Sequence, residues 1–183
     1  MRLGYNTNGL AHHRWDDAID VIAAAGYRSV AITVDHHCLD PRSATFRQDL
    51  LRMRALLEKW DLRCVVETGA RFLLDPYHKH QPTLLSPKPD ERQHRLRFLS
   101  DCVEIAAELD ADAVSFWSGS PTDKAADEIL WTRVVDGCRR LVDVADAHDV
   151  RLAFEPEPGM FVETCAQFET LLGAVDHPRF GMT

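Results

Sequence analysis

Four short stretches of this chain share one design, and this repetition constrains the fold more than any other feature. Each joins the end of a helix-like segment to an apolar run, and they read AAGYRSVAI, KWDLRCVVE, ELDADAVSF and AHDVRLAFE. Their spacing of roughly 30 to 50 residues is the size of a βα unit, in which a helix leads through a short link into a parallel strand. The chain is therefore predicted to be an α/β protein built on a parallel sheet.

The apolar runs predict six strands, several of them rich in Val, Ile or Phe, as strands buried on both faces usually are. The predicted strands are residues 3–5, 29–34, 63–67, 113–117, 150–155 and 180–183. Between them, apolar residues recur at helical spacing. The predicted helices are residues 15–25, which stop at Gly26, and residues 44–60, 91–109, 127–148 and 162–174.

The loops that leave the carboxyl ends of these strands are longer and more unusual in composition than the four junctions. In chain order they read NTNG, DHHC, ETGARFLLDPYHKHQPTLL, WSGSP and EPEPG. In parallel barrels the catalytic residues come from loops at this end. The segment 72–89 is long enough to be a lid or a binding loop, in which Lys79 or a flanking histidine is either a phosphate contact or a solvated loop residue.

Composition and the first turn exclude several classes of function. A net charge of −8 without a basic run argues against nucleic-acid binding. No apolar run of about 18 residues and no signal-peptide start are present, which predicts a cytoplasmic protein with no membrane contact. The five scattered cysteines are interpreted as small buried residues in a reducing compartment. The turn NTNGLAHHRW lacks the glycine patterns of dinucleotide-binding and P-loop proteins.

Several segments together resemble one family. MRLGYNTNG, AGYRSVAITVD and, most specifically, VRLAFEPEPGMFVET followed by HPRFGMT are similar to the sugar phosphate isomerase/epimerase group of the xylose-isomerase-like barrels. The resemblance covers the whole chain and implies a (β/α)₈ TIM barrel, of which residues 1–183 are about the first five and a half units. It predicts one domain, incomplete at its C-terminus, of a barrel of roughly 270 residues. The open strand edge of such a fragment predicts aggregation or a homo-oligomer.

The resemblance also implies a metal centre. In that family a divalent ion is held by a Glu after strand five, an Asp after strand six, a His after strand seven and a Glu after strand eight. Glu155 matches the first of these positions, and the other three fall outside this sequence. The resemblance thus implies Mn²⁺ or Mg²⁺, with Co²⁺ or Zn²⁺ as alternatives, and makes Glu155 both metal ligand and catalytic base. Glu157 is the rival ligand if the strand ends later, and otherwise a substrate contact.

Four more residues are candidates for substrate binding, and each has an ordinary structural alternative. Glu67 ends strand three, where it contacts substrate or pairs with Arg71. His36 contacts substrate or belongs to a hydrogen-bonded loop. Asn6 donates to a polyol or stabilises a turn. Trp117 is a flat wall for a sugar or a core aromatic residue.

The resemblance implies an enzyme that isomerises or epimerises a sugar, sugar phosphate or related polyol acid by proton transfer through an enediolate. The fragment alone is expected to be inactive, because the second base follows strand eight in relatives. One rival is a non-catalytic, metabolite-binding accessory barrel. Another is a metal-dependent phosphodiesterase of the apurinic-endonuclease type, which needs histidine ligands after strands three and four, where this chain has Glu67-Thr68 and Trp117-Ser118.

Overall fold

The computed structural model describes residues 2–183, and within them strands and helices alternate from beginning to end. The strands are β1 (Gly4–Asn6), β2 (Ser29–Thr33), β3 (Arg63–Glu67), β4 (Val114–Phe116), β5 (Leu152–Phe154) and β6 (Phe180–Met182). The α-helices are α1 (Trp15–Ala24), α2 (Phe46–Trp60), α3 (Pro89–Glu108), α4 (Asp127–Ala147) and α5 (Cys165–Val175), and a 3₁₀ turn spans Thr7–Leu10. No helix in residues 2–183 is both long and apolar enough to cross a membrane.

The six strands form one parallel sheet in the order β1-β2-β3-β4-β5-β6. Every strand therefore pairs with its neighbours in sequence, which is the order of a singly wound barrel. A doubly wound sheet would instead reverse direction at an internal switch point. The fold is a TIM-barrel sheet of six strands, and the fold-class prediction is confirmed.

The observed bounds differ from the predicted ones by up to three residues, for identifiable reasons. Helix α3 begins at Pro89 rather than at 91, because proline fits the first helical position, where no N–H is needed. Helix α5 begins at Cys165 rather than at 162, because Thr164 and Gln167 form a capping box at its N-terminus. Strands β4 and β5 are shorter than predicted, so that Trp117 and Glu155 lie just beyond the last paired residues.

A left-handed residue explains the shared design of the junctions. Each helix is followed, within two residues, by a residue with positive φ: Gly26 at 92°, Asp61 at 48°, Asp110 at 51°, Asp149 at 58° and Asp176 at 49°. This conformation ends a helix and satisfies its last carbonyl groups, and Gly, Asn and Asp are the residues that tolerate it. The recurring Asp or Gly is therefore the residue that turns each helix into the next strand.

The two faces of the sheet differ in composition, and this difference positions the functional site. One row across the sheet pairs Ile32, Val66, Val114, Leu152 and Phe180, all buried in the core. The next row pairs Thr33, Glu67, Ser115, Ala153 and Gly181, which are small or polar. Because side chains alternate along a strand, the two rows lie on opposite faces. The apolar row packs in the core, and the small or polar row includes residues that line a cavity.

The prediction that the cysteines are buried is correct for four of the five residues. Cys38, Cys64, Cys102 and Cys138 are buried, and burial raises the pKa of the Cys64 thiol to about 12. Cys165 is exposed, contrary to the interpretation, because it is the first residue of α5 and lies at the surface.

Candidate active site

A cavity of about 280 Å³ opens at the carboxyl ends of the strands. Five of the six residues predicted to bind metal or substrate line it: Asn6, Glu67, Trp117, Glu155 and Glu157. They come from four different strands, so the sheet order brings them together. His36 does not line this cavity.

A larger cavity of about 620 Å³ lies elsewhere, in the groove between α2 and α3. Its walls include Arg47, Glu108 and Asp101 from the outer helical layer. Most of its wall belongs to the outer helices, although the loop after β2 contributes Pro41. We therefore assign function to the smaller cavity, which residues at several strand ends line.

Three carboxylates face this cavity: Glu67 at the end of β3, and Glu155 and Glu157 in the loop after β5. None of the three forms an ion pair with a basic side chain within residues 2–183. Burial raises the pKa of Glu155 above its usual range, and repulsion from Glu157 and Glu67 raises it further. The arrangement is a concentration of negative charge that a bound cation would relieve.

Glu67 is held by the neighbouring strand. The Thr33 hydroxyl donates to Glu67 Oε2 at 2.7 Å, and the Thr33 backbone N–H donates to Thr7 Oγ1 at 3.0 Å. The alternative that Glu67 pairs with Arg71 is wrong, because Arg71 Nε donates to Asp35 Oδ2 at 2.9 Å instead. Glu67 therefore keeps a carboxylate oxygen available to the cavity.

Asp35, His36 and His37 have ligand atoms within 4.8 Å of one another, an arrangement compatible with a metal ion. However, the buried Asp35 carboxylate already accepts from Arg71 and from the His36 backbone and ring. Burial raises the pKa of Asp35, but these hydrogen bonds and the Arg71 charge outweigh it, so the pKa is below its usual range. Asp35 is therefore neutralised by Arg71, and the His36 side chain, 70% exposed, stays at the surface.

Trp117 is both a core aromatic residue and part of the cavity wall, the two alternatives considered from the sequence. It is only 8% exposed, yet it contributes to the cavity wall. Behind it, the Arg95 guanidinium lies 4.7 Å from its ring centroid, and the His80 ring meets it edge-on at 5.5 Å. The indole is therefore fixed by packing, which makes it a rigid wall.

The loop after Trp117 is locked to the long segment between β3 and α3. Gly119 has a φ of 79°, and a Cβ there would lie 2.4 Å from Thr83. Thr83, Leu84, Leu85 and Ser86 are buried. This part of the segment is thus packed into the molecule, whereas the sequence suggested a lid or a binding loop throughout.

Asn6 has a structural role as well as a place in the cavity wall. Its Oδ1 accepts from the Gly9 N–H at 2.8 Å and caps the 3₁₀ turn. The amide NH₂ group remains available, so both alternatives raised from the sequence are compatible with its position.

Sequence reasoning missed several residues of the cavity wall: Thr33, Thr68, Ser115 and Met160. Thr33 and Ser115 lie within predicted strands, but it is the strand register that makes them partners of Glu67 and places them on its face of the sheet. The sequence raised Lys79 or a flanking histidine as a phosphate contact, and both Lys79 and His80 line the cavity, a placement that depends on the path of the 21-residue connection between β3 and α3.

Comparison with known proteins agrees with this architecture. The xylose isomerase-like TIM barrel family matches residues 19–183. A search of curated protein sequences gave no match. Among solved structures, a protein from Sinorhizobium meliloti 1021 is 20% identical, with a TM-score of 0.76 over 99% of this chain and 62% of its own.

Two sugar epimerases also have similar structures. D-psicose 3-epimerase, solved in the presence of D-fructose, is 16% identical, with a TM-score of 0.76 over 98% of this chain and 62% of its own. The 3-keto-D-glucoside 4-epimerase from E. coli is 14% identical, with a TM-score of 0.78 over 99% of this chain and 68% of its own. At such identities the likeness concerns the fold, and the chain spans about three fifths of the first two structures. The sheet order and the match over residues 19–183 establish that this chain belongs to the xylose isomerase-like TIM barrel family.

Proposed function

We propose that the whole protein is a divalent-metal-dependent isomerase or epimerase of a sugar, sugar phosphate or related polyol acid. The observation that carries this proposal is the cluster of Glu67, Glu155 and Glu157, three carboxylates around one cavity that form no ion pair with any residue of the described range 2–183. Such a cluster costs stability unless a ligand compensates its charge. The similar folds of two sugar epimerases support the same class of substrate.

The donor set fits a hard divalent cation. Carboxylate oxygens are the ligands that Mg²⁺ and Mn²⁺ prefer, and Co²⁺ or Zn²⁺ are compatible alternatives. Glu155 would be the ligand in this chain, with Glu157 as its rival two residues on. The repulsion that raises the pKa of Glu155 would be replaced by attraction to the ion.

Each residue of the cavity then has a distinct task. A bound metal would polarise a substrate carbonyl and so make the adjacent C–H more acidic. The Glu155 carboxylate accepts that proton. Glu67, oriented by Thr33, accepts hydrogen bonds from substrate hydroxyls, and Trp117 supplies a flat apolar surface for the C–H face of a sugar.

Epimerisation needs a second base on the opposite side of the reacting carbon. Glu155 and Glu157 belong to the same loop, so they approach the cavity from one direction. The family resemblance assigns the second base to a residue after strand eight. We therefore expect residues 1–183 alone to bind ligand weakly and to lack turnover.

The proposal is tested by calorimetric titration of the whole protein with Mn²⁺, beside Glu155→Gln and Glu157→Gln as matched variants. We expect Glu155→Gln to weaken Mn²⁺ binding by at least about tenfold, a loss of about 1.4 kcal/mol, and to abolish turnover on a ketose panel. Glu157→Gln should keep most of the affinity. The reverse ranking would make Glu157 the ligand, and equal binding in all three proteins would refute the metal site and favour an accessory barrel.

A further inference from the structure

His80 is the one histidine in the wall of the candidate cavity. It lies in the connection between β3 and α3, and its backbone N–H donates to the Arg71 carbonyl at 2.6 Å. Its φ of 65° is left-handed, a conformation that is uncommon in non-glycine residues. The His80 ring packs edge-on against Trp117, and its Nδ1 lies within hydrogen-bonding distance of the Gly69 carbonyl.

A single hydrogen bond determines which ring nitrogen of His80 carries a proton. Nδ1 lies 2.8 Å from the Gly69 carbonyl oxygen, which only accepts, so Nδ1 must donate. Nε2 has no hydrogen-bond partner within residues 2–183. In the neutral ring, Nε2 is then an acceptor with a free lone pair.

The charges around His80 favour the neutral ring. The pKa of His80 is lowered, and burial is the largest cause. Lys79 on the same loop and Arg95 on α3 lower it further. The hydrogen bond to Gly69 and the charge of Glu157 raise it, but by less. Arg95 is almost fully buried, donates from Nη2 to the Thr68 carbonyl at 2.9 Å, and leaves Nη1 without a partner. With no carboxylate partner, its positive charge opposes a second cation nearby.

We propose that His80 is a specificity-determining residue, whose Nε2 accepts a hydrogen bond from a hydroxyl group of the ligand in this cavity. This inference rests on the proposed function, since it assumes that the ligand is a sugar or polyol. A neutral acceptor matches a hydroxyl, which can donate, and does not match a phosphate dianion, whose oxygens only accept. Any phosphate group of the substrate must therefore lie away from His80.

Two substitutions distinguish the acceptor role of His80 Nε2 from the hydrogen bond that Nδ1 donates to Gly69. His80→Asn places its amide NH₂ where Nδ1 was, so it keeps the donor to Gly69 and loses the acceptor, and Asn tolerates positive φ. His80→Gln reaches the Nε2 position with an amide oxygen and keeps an acceptor. Circular dichroism of both variants checks that the fold is unchanged.

The test combines two measurements on the whole protein in the presence of Mg²⁺. Nitrogen NMR at pH 7.5 should show a protonated Nδ1 and an unprotonated Nε2 in His80, with Nε2 shifting when D-fructose is added. In titrations with D-fructose, His80→Asn should bind about fivefold to tenfold more weakly, the effect of one hydrogen bond, and His80→Gln within about threefold of the original protein.

The outcomes distinguish the two proposals. A protonated Nε2 at pH 7.5, or equal D-fructose binding by the original protein and His80→Asn, overturns the role of His80 and leaves the proposed function standing. Absence of binding to every ketose of the panel refutes the proposed function, and the hydroxyl contact to His80 fails with it, even if the NMR spectrum shows the expected tautomer.

Discussion

The two ends of the parallel sheet carry charge in opposite ways. At the amino end, Arg63 pairs with Asp110 and Asp112, and Arg179 pairs with Asp146 and Asp149. At the carboxyl end, the three glutamates of the cavity have no basic partner within residues 2–183, and burial and repulsion raise the pKa of Glu155. The charges of these residues at the amino end are neutralised internally. At the carboxyl end Asp35 pairs with Arg71, but within residues 2–183 the three glutamates of the cavity stay unpaired and available to a ligand.

This difference corresponds to a division of labour in parallel barrels, in which the amino end serves stability and the carboxyl end serves function. The junctions at the amino end follow one repeated design with a left-handed Asp or Gly. The loops at the carboxyl end follow no common design. The helix-ending pattern therefore recurs at the end of the sheet that serves folding, and no such pattern recurs at the end where a ligand would bind.

The largest effect is expected from Gly119→Ala at the carboxyl end. The variant would combine a left-handed backbone, costing about 1–2 kcal/mol, with a Cβ forced against Thr83, costing about 1–3 kcal/mol. Urea unfolding should show a loss of about 2–5 kcal/mol. A loss below about 1 kcal/mol would mean that the loop after β4 is not locked to Thr83.

Asp35→Asn should be the next most harmful change. The Asp35 carboxylate is buried and the Arg71 side chain is 29% exposed, so removing the charge should cost about 2–3 kcal/mol, less than for a fully buried pair. Glu58→Gln, which breaks the exposed pair with Arg54, is the control and should cost at most about 0.5 kcal/mol.

The same substitution changes the pH dependence of stability. Because the pKa of Asp35 is lower in the folded state, its contribution is present above about pH 4, the unfolded value, and is lost as the pH falls through the folded pKa. The stability of Asp35→Asn should therefore decline less steeply in acid. Parallel acid limbs in the two proteins would contradict the assignment.

Gly26→Ala tests the amino end with backbone conformation alone. Among residues 2–183, a Cβ at Gly26 meets no atom within 4 Å beyond its own chain neighbours. The φ of 92° therefore opposes the change, and we expect a loss of about 1–2 kcal/mol in urea unfolding. Gly173→Ala is the matched control, since it lies in α5 with equally open surroundings and should stabilise by about 0.5–1 kcal/mol. Equal effects of the two changes would show that Gly26 is not required by its conformation.

The smallest effects should have opposite signs at the two ends. Without metal at pH 7, Glu155→Gln should stabilise the protein by about a few tenths of a kcal/mol, because the Glu155 side chain is only partly covered and solvent screens the repulsion. A carboxyl whose pKa is raised in the folded state lowers the free energy of unfolding as the pH rises and it ionises. The stabilisation by Glu155→Gln should therefore vanish below about pH 4, where the carboxyl is protonated in both states. Asp112→Asn, which breaks a pair with Arg63, should instead destabilise by a similar amount.

Much of the fold was predictable because it depends on local patterns. The periodicity of apolar residues located six strands and five helices to within about three residues, and Glu67, Glu155 and Trp117 were recognised from their positions at strand ends. Their side chains meet in one cavity because parallel strands in sequential order end at the same edge of the sheet.

The sequence by itself determined the alternation of strands and helices and the polar and carboxylate side chains at the strand ends, since both follow from neighbouring residues. Only the tertiary structure decided which groups meet: Arg71 pairs with Asp35 rather than Glu67, Ser115 joins the row of Glu67, and His80 reaches Trp117. These contacts join residues that are 36 to 48 positions apart, and they depend on strand register and loop path, which no local pattern encodes.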